Sequence, residues 1–487
     1  VQIKKSVMAL IMIGTLLFGA GMMYLLTEQL NKAVPVTEST GITEERYEEM
    51  LNELASSVEL PKIVQAYNLI QENYVNEVEE KQLIEGAISG MLRSLDDPYS
   101  EYLDEETMEQ FTEQLESSFE GIGAEVSMIN GVVTIVSPIK GSPAEKVGLR
   151  PNDKILTING DSTEGLDLLE AVSKIRGEKG TTVEIEVGRQ GVEDPIPFEI
   201  TRDTIPLETV YAETIVEAGK TIGYIEITSF SDQTDERFLE EVTRFEAEGI
   251  DGLILDVRGN PGGLLETVEP MLKQFIPSDR PYMQLEDGEG EIDRFFSSTE
   301  TEKAYPIHVL VDEGSASASE ILAVSLKEAI DAEVIGTTSF GKGTVQRSID
   351  MGDGSAVKLT VLNWLSAEGN SIHQVGVEPT IEVQQPAYYY VSPITLDGKR
   401  SQNDFGDNIR FMQVMLAGLG YNVDREDGYF SEQTETALSE YQADQEITVT
   451  GELDQETADT LQTEIIERIR EGTDDKQKQK AIETIIE

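Results

Sequence analysis

Apolar residues recur three and four positions apart in LPKIVQAYNLIQENY, Leu60 to Tyr74, inside a charged stretch from Glu45 to Gln114, and that spacing predicts helices. Further along, the pattern changes. Leu253 to Val257 and Ile307 to Val311 are short, largely apolar runs that predict buried strands, the first of them parallel. Ala316 to Ala329 returns to helical spacing, and a second helix is expected from Leu264. At the N-terminus, Val7 to Leu26 offers 20 residues without a charge, enough to span a bilayer. Lys4 and Lys5 precede that run and an acidic chain follows it, so the body is expected outside the cytoplasm. A cleaved signal peptide is the rival, with Gly19-Ala20-Gly21 as its small-residue site. The apolar run continuing through Met22 to Leu26 favours a retained anchor.

The composition shifts between Gln384 and Asn403, where two prolines, three tyrosines and a polar end read as a linker. A degenerate repeat follows it. Gly428, Phe430, Gln433, Thr434 and Leu438 match Gly451, Leu453, Glu456, Thr457 and Leu461 in spacing. Each half has a turn glycine, then Ser431 or Asp454 as a helix N-cap, then an amphipathic helix. The stretch from Ile465 to Glu487 is charged and is expected to be an uninformative tail, helical or frayed.

Charge and composition remove several function classes. Acidic residues number 93 against 37 basic, a net charge of −56 over 487 residues, which argues against nucleic acid as a partner. Such acidity suits solubility in salt or alkali. With no cysteine there is no disulfide framework, so the fold relies on its core. No group of His and carboxylates has metal-ligand spacing, and DREDG, Asp424 to Gly428, lacks the downstream ligands of a calcium loop. Neither a metal nor a cofactor is expected.

Two stretches carry candidate chemistry: DEGSASASE, Asp312 to Glu320, and SFGKGTVQ, Ser339 to Gln346. The first offers serines at a strand-to-helix junction, where a helix N-terminus favours negative charge. The second offers Lys342 between two glycines. His308 and His373 are the chain's only histidines and read as structural, so a hydrolase here needs another base, and Ser-Lys is a known variant. Burial can strip the lysine of its proton. Spacing alone cannot choose among Ser315, Ser317 and Ser319. RGNPGG, Arg258 to Gly263, reads as a tight turn after a strand, without the Gly-Lys-Ser/Thr of a phosphate loop.

SASASE followed by FGKGTVQ resembles the catalytic core of the C-terminal processing peptidases, the tail-specific serine peptidases. GAISGMLRSLDDPYSEYL from Gly86, a PDZ-like segment from about Phe119 to Asp203, and LILDVRGNPGGLL from Leu253 are similar to that family, in the family's order. The resemblance covers about Glu59 to Val383 and implies Ser317 as nucleophile, Lys342 as general base and Gln346 as the amide that orients the lysine. It also implies an oxyanion hole from a glycine N–H, Gly263 in preference to Gly262, together with that of Ala318. In the PDZ-like segment, the loop Glu120 to Gly123 would turn the N–H groups of Gly121, Ile122 and Gly123 toward a peptide's free C-terminus. Arg176 would sense that peptide or steady the site. Asn152 replaces the glycine usual after the proline, at little cost, because Asn tolerates a left-handed backbone. NIRFMQVMLAGLGY, Asn408 to Tyr421, with the repeat resembles a small peptidoglycan-binding domain.

The expected fold is an α/β peptidase core with a mixed sheet and an inserted PDZ domain. A helical N-terminal region, a small all-α C-terminal domain and an N-terminal transmembrane helix complete it. The divisions are anchor 1–30, helical region 45–115, PDZ 116–203, peptidase core 204–385 with part of 75–115, linker 386–403, wall-binding domain 404–465 and tail 466–487. The expected activity is extracytoplasmic serine endopeptidase, with protein substrates bearing free C-termini, peptidoglycan and a second copy of the chain, through the helical region, as partners. A non-catalytic, wall-tethered PDZ scaffold is the alternative.

Overall fold

A computed structural model describes residues 60–487 except 116, 117, 130, 190, 191 and 193. The expected membrane span lies outside the described residues, and among those described no helix is long and apolar enough to cross a membrane. The chain divides into two compact units, the first holding described residues 60–111 with 345–361, the second the remainder.

In the first unit the helices Leu60–Asn73 and Glu80–Arg93 form where the apolar spacing predicts them. Val64 and Leu69 of the former remain exposed. The strand Glu101–Leu103 pairs antiparallel with residues 356–358, and the Lys358 ammonium meets the Glu101 carboxylate at 2.9 Å.

One six-stranded sheet of the second unit runs in chain order. β1 (Val210–Glu217) and β2 (Lys220–Ile227) form an antiparallel hairpin. Then β3 (Gly252–Asp256), β4 (Ile307–Val311), β5 (Glu333–Gly336) and β6 (Ile381–Glu382) add side by side in parallel. Parallel pairing requires crossovers, supplied by α1 (Thr234–Glu248), α2 (Leu265–Phe275) and α3 (Ala318–Ile330). Every residue of β3 and β4 is buried, which is why both read as apolar runs rather than alternating ones.

Within residues 118–206 a six-stranded antiparallel sheet and a separate two-stranded one, 118–121 with 203–206, accompany a core of Ile122, Val133, Ile135, Ile155, Val183 and Ile185. The helix Leu168–Ile175 is capped at its start by Asp167 and Glu170 in a capping box. The buried Arg202 guanidinium holds its last carbonyls, donating to Ile175 O at 2.8 Å and Lys174 O at 3.1 Å. Asn152 adopts φ +67°, the left-handed conformation anticipated from its place in the segment.

The helices Asp407–Gly418, Glu432–Asp444 and Gln455–Arg470 enclose a separate core. The repeat is real in three dimensions, and a buried glutamine organises each half. Gln413 accepts the Gly428 N–H at 2.9 Å and donates to Thr434 Oγ1 at 3.0 Å. Gln442 accepts the Gly451 N–H at 2.9 Å and donates to Thr457 Oγ1 at 2.9 Å. Ser431 and Asp454 cap their helices as expected, accepting the N–H of Thr434 and Thr457.

The expected charged tail turns out differently. After the third helix the chain returns to the sheet of β1–β6 as α4 (Lys476–Ile486). Ala481, Ile482 and Ile485 pack with Ile222, Tyr224, Ile254, Leu310 and Ile335. A methyl group on Gly252 would come within 2.6 Å of Ile485, so β3 is fitted to this helix. Just before α4, Asp475 receives both terminal nitrogens of Arg258 at 2.8 Å. Its Oδ1 also takes the Gln385 amide at 2.7 Å, while Gln385 accepts the Lys476 N–H at 3.0 Å. The apolar side chains that bind α4, Ala481, Ile482, Ile485 and Ile486, follow a run of lysines and glutamines, so a surface helix was the natural reading of its sequence.

Burying two isoleucines contributes about 3–6 kcal/mol, a large part of an ordinary domain's stability. Ending the chain after Gly472 should therefore lower the thermal midpoint by about 10 °C. An unchanged midpoint by calorimetry would mean α4 contributes nothing. Burial by itself raises the Asp475 carboxyl, and the Arg258 guanidinium outweighs it, leaving the carboxyl below its ordinary value. That stabilisation is present above about pH 4 and is lost as pH falls through the lowered value. Asp475→Asn should cost roughly 2 kcal/mol at pH 7 and converge with the parent in acid.

Candidate active site

β4 ends at Val311 and α3 begins at Ala318, so the serine run occupies the turn between them. Two of the three serines are committed to structure. The Ser315 hydroxyl donates to Val257 O at 2.8 Å and that of Ser319 to Asn260 O at 2.9 Å, and both residues are fully buried. Ser317 is partly exposed and stands at the N-cap of α3 with φ +54° and ψ −114°. A positive φ is costly for a residue with a Cβ and persists only where the surroundings enforce it. The turn thus presents one hydroxyl at a helix N-terminus, the arrangement of a nucleophile elbow.

The RGNPGG turn is stitched to the serine turn from below. Asn260 O accepts the Ala316 N–H at 3.0 Å, and the Asn260 amide donates to Ile227 O at 2.7 Å. A Cβ on Gly262 would lie 2.7 Å from Ser317 Cβ and 3.0 Å from the Ala318 nitrogen, so only glycine permits this approach. The Gly262 N–H is occupied by Asn260 Oδ1 at 2.8 Å. Gly263 bridges to Phe230 through the carbonyl of Gly262 and the N–H of Leu264, which leaves its own N–H outside the bridge.

Lys342 is held by its backbone from both sides. Its N–H donates to Glu320 Oε2 at 2.8 Å, and its carbonyl accepts the indole N–H of Trp364 at 3.0 Å. The flanking glycines answer to a neighbouring segment: Gly341 has φ +92°, and a Cβ on Gly343 would lie 2.8 Å from the His373 nitrogen. His373 Nδ1 faces the Gly343 N–H at 3.4 Å, a role in shaping the lysine turn. His308, at the start of β4, is buried, and burial pushes its imidazole below the ordinary value. Its Nδ1 lies 3.2 Å from Ile307 O, whereas Nε2 has no hydrogen-bond partner.

Glu320 joins the two turns. Its carboxylate is fully buried; Oε2 accepts the Ser317 N–H at 2.8 Å as well as that of Lys342. The two backbone nitrogens are therefore no farther apart than twice 2.8 Å. Oε1 accepts the Ser339 hydroxyl and the Gly341 N–H, each at 2.6 Å. The sequence reading missed Glu320 and Trp364. Glu320 carried a signal, since Ser317-Ala318-Ser319-Glu320 fits the S-x-x-E of a capping box. Trp364 carried none beyond being the chain's one tryptophan.

Gln346 belongs to the first unit, in the strand Thr344–Asp350, where its side-chain amide donates to Thr360 Oγ1 at 3.1 Å.

A second concavity, about 180 Å³, lies between the strand Ala124–Ile129 and the helix Leu168–Ile175. Phe119, Ile122, Gly123, Val126, Val172 and Arg176 are among its lining residues. The carbonyls of Ile122 and Gly123 accept from Ala144 and Ile139, and a Cβ on Gly123 would strike Ser142 at 2.4 Å. Arg176 stacks 4.9 Å from the Phe119 ring centre.

The Peptidase family S41 model matches residues 221–383, a PDZ domain model 134–189, a peptidoglycan binding domain model 405–461, and that of the activating protease CtpB N-terminal domain 16–107. The carboxy-terminal processing protease CtpB of Bacillus subtilis is 44% identical over 99% of both chains. Its CtpA is 41% identical over 87% of this chain and 90% of its own. Among solved structures, the photosystem II D1 C-terminal processing protease aligns with 67% of this chain and 94% of its own, at 26% identity and a TM-score of 0.41.

Proposed function

This chain belongs to the S41 family of carboxy-terminal processing serine proteases, and from that premise we propose that it cleaves extracytoplasmic proteins by a Ser-Lys mechanism after taking their free C-termini into its PDZ domain. Family membership leaves the non-catalytic scaffold without support. The observation that carries the mechanism is the single carboxylate oxygen shared by the Ser317 and Lys342 N–H groups. Ser317 Oγ attacks the scissile carbonyl while neutral Lys342 takes its proton. Gln346, whose side-chain amide donates to Thr360 Oγ1, is assigned to orient the lysine amine. The N–H groups of Gly263 and Ala318 receive the oxyanion, the first supported by its exclusion from the Phe230 bridge. The protonated lysine passes its proton to the leaving amine as the C–N bond breaks, and, neutral again, it activates water against the acyl-enzyme.

Because nucleophile and base act as one unit, Ser317→Ala and Lys342→Ala should each lower kcat by about 10,000-fold or more in folded protein. Lys342→Arg should fail too, since a guanidinium stays protonated. The rate on a short peptide should rise with pH as Lys342 loses its proton. Normal turnover in Ser317→Ala, or a flat profile from about pH 5 to 10, would refute the mechanism.

The groove between strand and helix supports recognition of a free C-terminus, with Arg176 at its rim. A peptide ending in an apolar residue should bind about tenfold more weakly when its terminus is amidated, because the amide removes the charge paired with loop N–H groups. Equal affinities by calorimetry would rule out carboxylate recognition. If peptide binding gates the site, saturating peptide should speed cleavage of a second short substrate, and Arg176→Ala should blunt that gain.

The peptidoglycan-binding domain supports retention at the wall. Gln385 and Asp475 are hydrogen-bonded, so residues 387–472 can be replaced by a short Gly/Ser linker while α4 stays in place. The shortened enzyme should keep peptide hydrolysis and lose its sedimentation with sacculi. Undiminished sedimentation would exclude wall binding by this domain. A reporter active only in the cytoplasm, fused after Glu487, should stay silent in cells.

A further inference from the structure

Glu320 is a fully buried carboxylate whose four donors are the N–H groups of Ser317, Gly341 and Lys342 and the Ser339 hydroxyl. All four come from the serine turn or the lysine turn. Four donors fill the roughly four acceptor sites of an ionised carboxylate, two on each oxygen. The geometry is hard to explain as helix capping alone. A cap would need only the Ser317 N–H, whereas three of the four bonds reach a segment about 20 residues further along the chain. Nor is this an ordinary buried ion pair, since every one of these donors is neutral.

We propose that Glu320 is the positioning residue that sets the register between nucleophile and base, so that the lysine turn is competent only while docked on this carboxylate. The proposal rests on the Ser-Lys reading. It follows from the cost of the alternative. If the lysine turn lifts away, a buried carboxylate loses three of its four donors, and a buried acceptor left unpaired is expensive. Docking is therefore all or none: Lys342 is either at its station beside Ser317 or off it. Glu320 acts through the two turns and touches neither substrate nor the reacting atoms.

Glu320→Gln in the full chain tests this. The amide keeps the shape but turns an NH2 group toward N–H donors, so one side of the latch is repelled. Because misplacing reacting groups by about 1 Å can cost about 100-fold, kcat should fall by that order while KM stays within about twofold. In a Lys342→Ala background, assayed on an activated ester, the same change should cost nothing more, because the base it positions is gone. Ser339→Ala, which removes one donor and keeps the carboxylate, should lower kcat about fivefold and serves if Glu320→Gln does not fold. Unchanged kcat in a folded variant, a loss confined to KM, or a full additional loss in the Lys342→Ala background would overturn the proposal. Full activity in Lys342→Ala would overturn the Ser-Lys reading itself, and this proposal with it.

Discussion

One oxygen atom, Glu320 Oε2, accepts two backbone N–H groups from turns that are distant in the chain, and the active region is arranged around that constraint. A serine and a lysine on flexible loops would meet only occasionally. Here each turn is fixed through its main chain, so the side chains start from set positions. The carboxylate is fully buried, and low surrounding polarity strengthens each bond while penalising any that is broken. Its supports are equally rigid. α3 carries Glu320 at its first turn, and Ile321, Leu322, Ala323 and Leu326 of the same helix are buried.

The remaining constraints in the site are steric, and glycine answers most of them. Gly262 lies against Ser317 where no Cβ fits, and Gly343 lies against His373 in the same way. Trp364 closes the lysine turn from the carbonyl side, so the backbone of Lys342 is held at both its N–H and its carbonyl. The positive φ of Ser317 is the strain that this enclosure sustains. Ser315 and Ser319, without a positive φ, spend their hydroxyls on carbonyls.

Much of this was legible in the sequence. β4 was predicted residue for residue as Ile307–Val311, because a strand buried on both faces leaves an unbroken apolar run. The repeat after residue 404 was legible from turn glycines and caps, which depend on local geometry. The choice among Ser315, Ser317 and Ser319 was not, because it depends on which hydroxyl faces Val257 and Asn260, residues brought close only by the parallel sheet. Glu320 wrote a capping pattern into the sequence, but its bonds to Ser339, Gly341 and Lys342 are long-range. Gln413 and Gln442 were missed for a related reason: a buried glutamine looks like any polar helical residue until its turn is seen.

The C-terminal helix changes how the chain's modules should be understood. Had the last residues been a tail, the peptidoglycan-binding domain would hang from the peptidase by one linker and could move without consequence for it. Instead the chain leaves the sheet after β6, builds the three-helix domain, and returns to the same sheet as α4. Exit and return meet at Gln385 and Asp475, and Asp475 grips Arg258, the first residue of the turn that carries Gly262 and Gly263. Burial alone opposes the Arg258 charge, and the carboxylates of Asp256 and Asp475 overcome that opposition. The three-helix domain is thus an insertion whose two ends are clasped beside the turn that carries Gly262 and Gly263. A chain pinned at both ends has less freedom than one pinned at a single end, so the domain's attachment is bound into the stability of the peptidase itself.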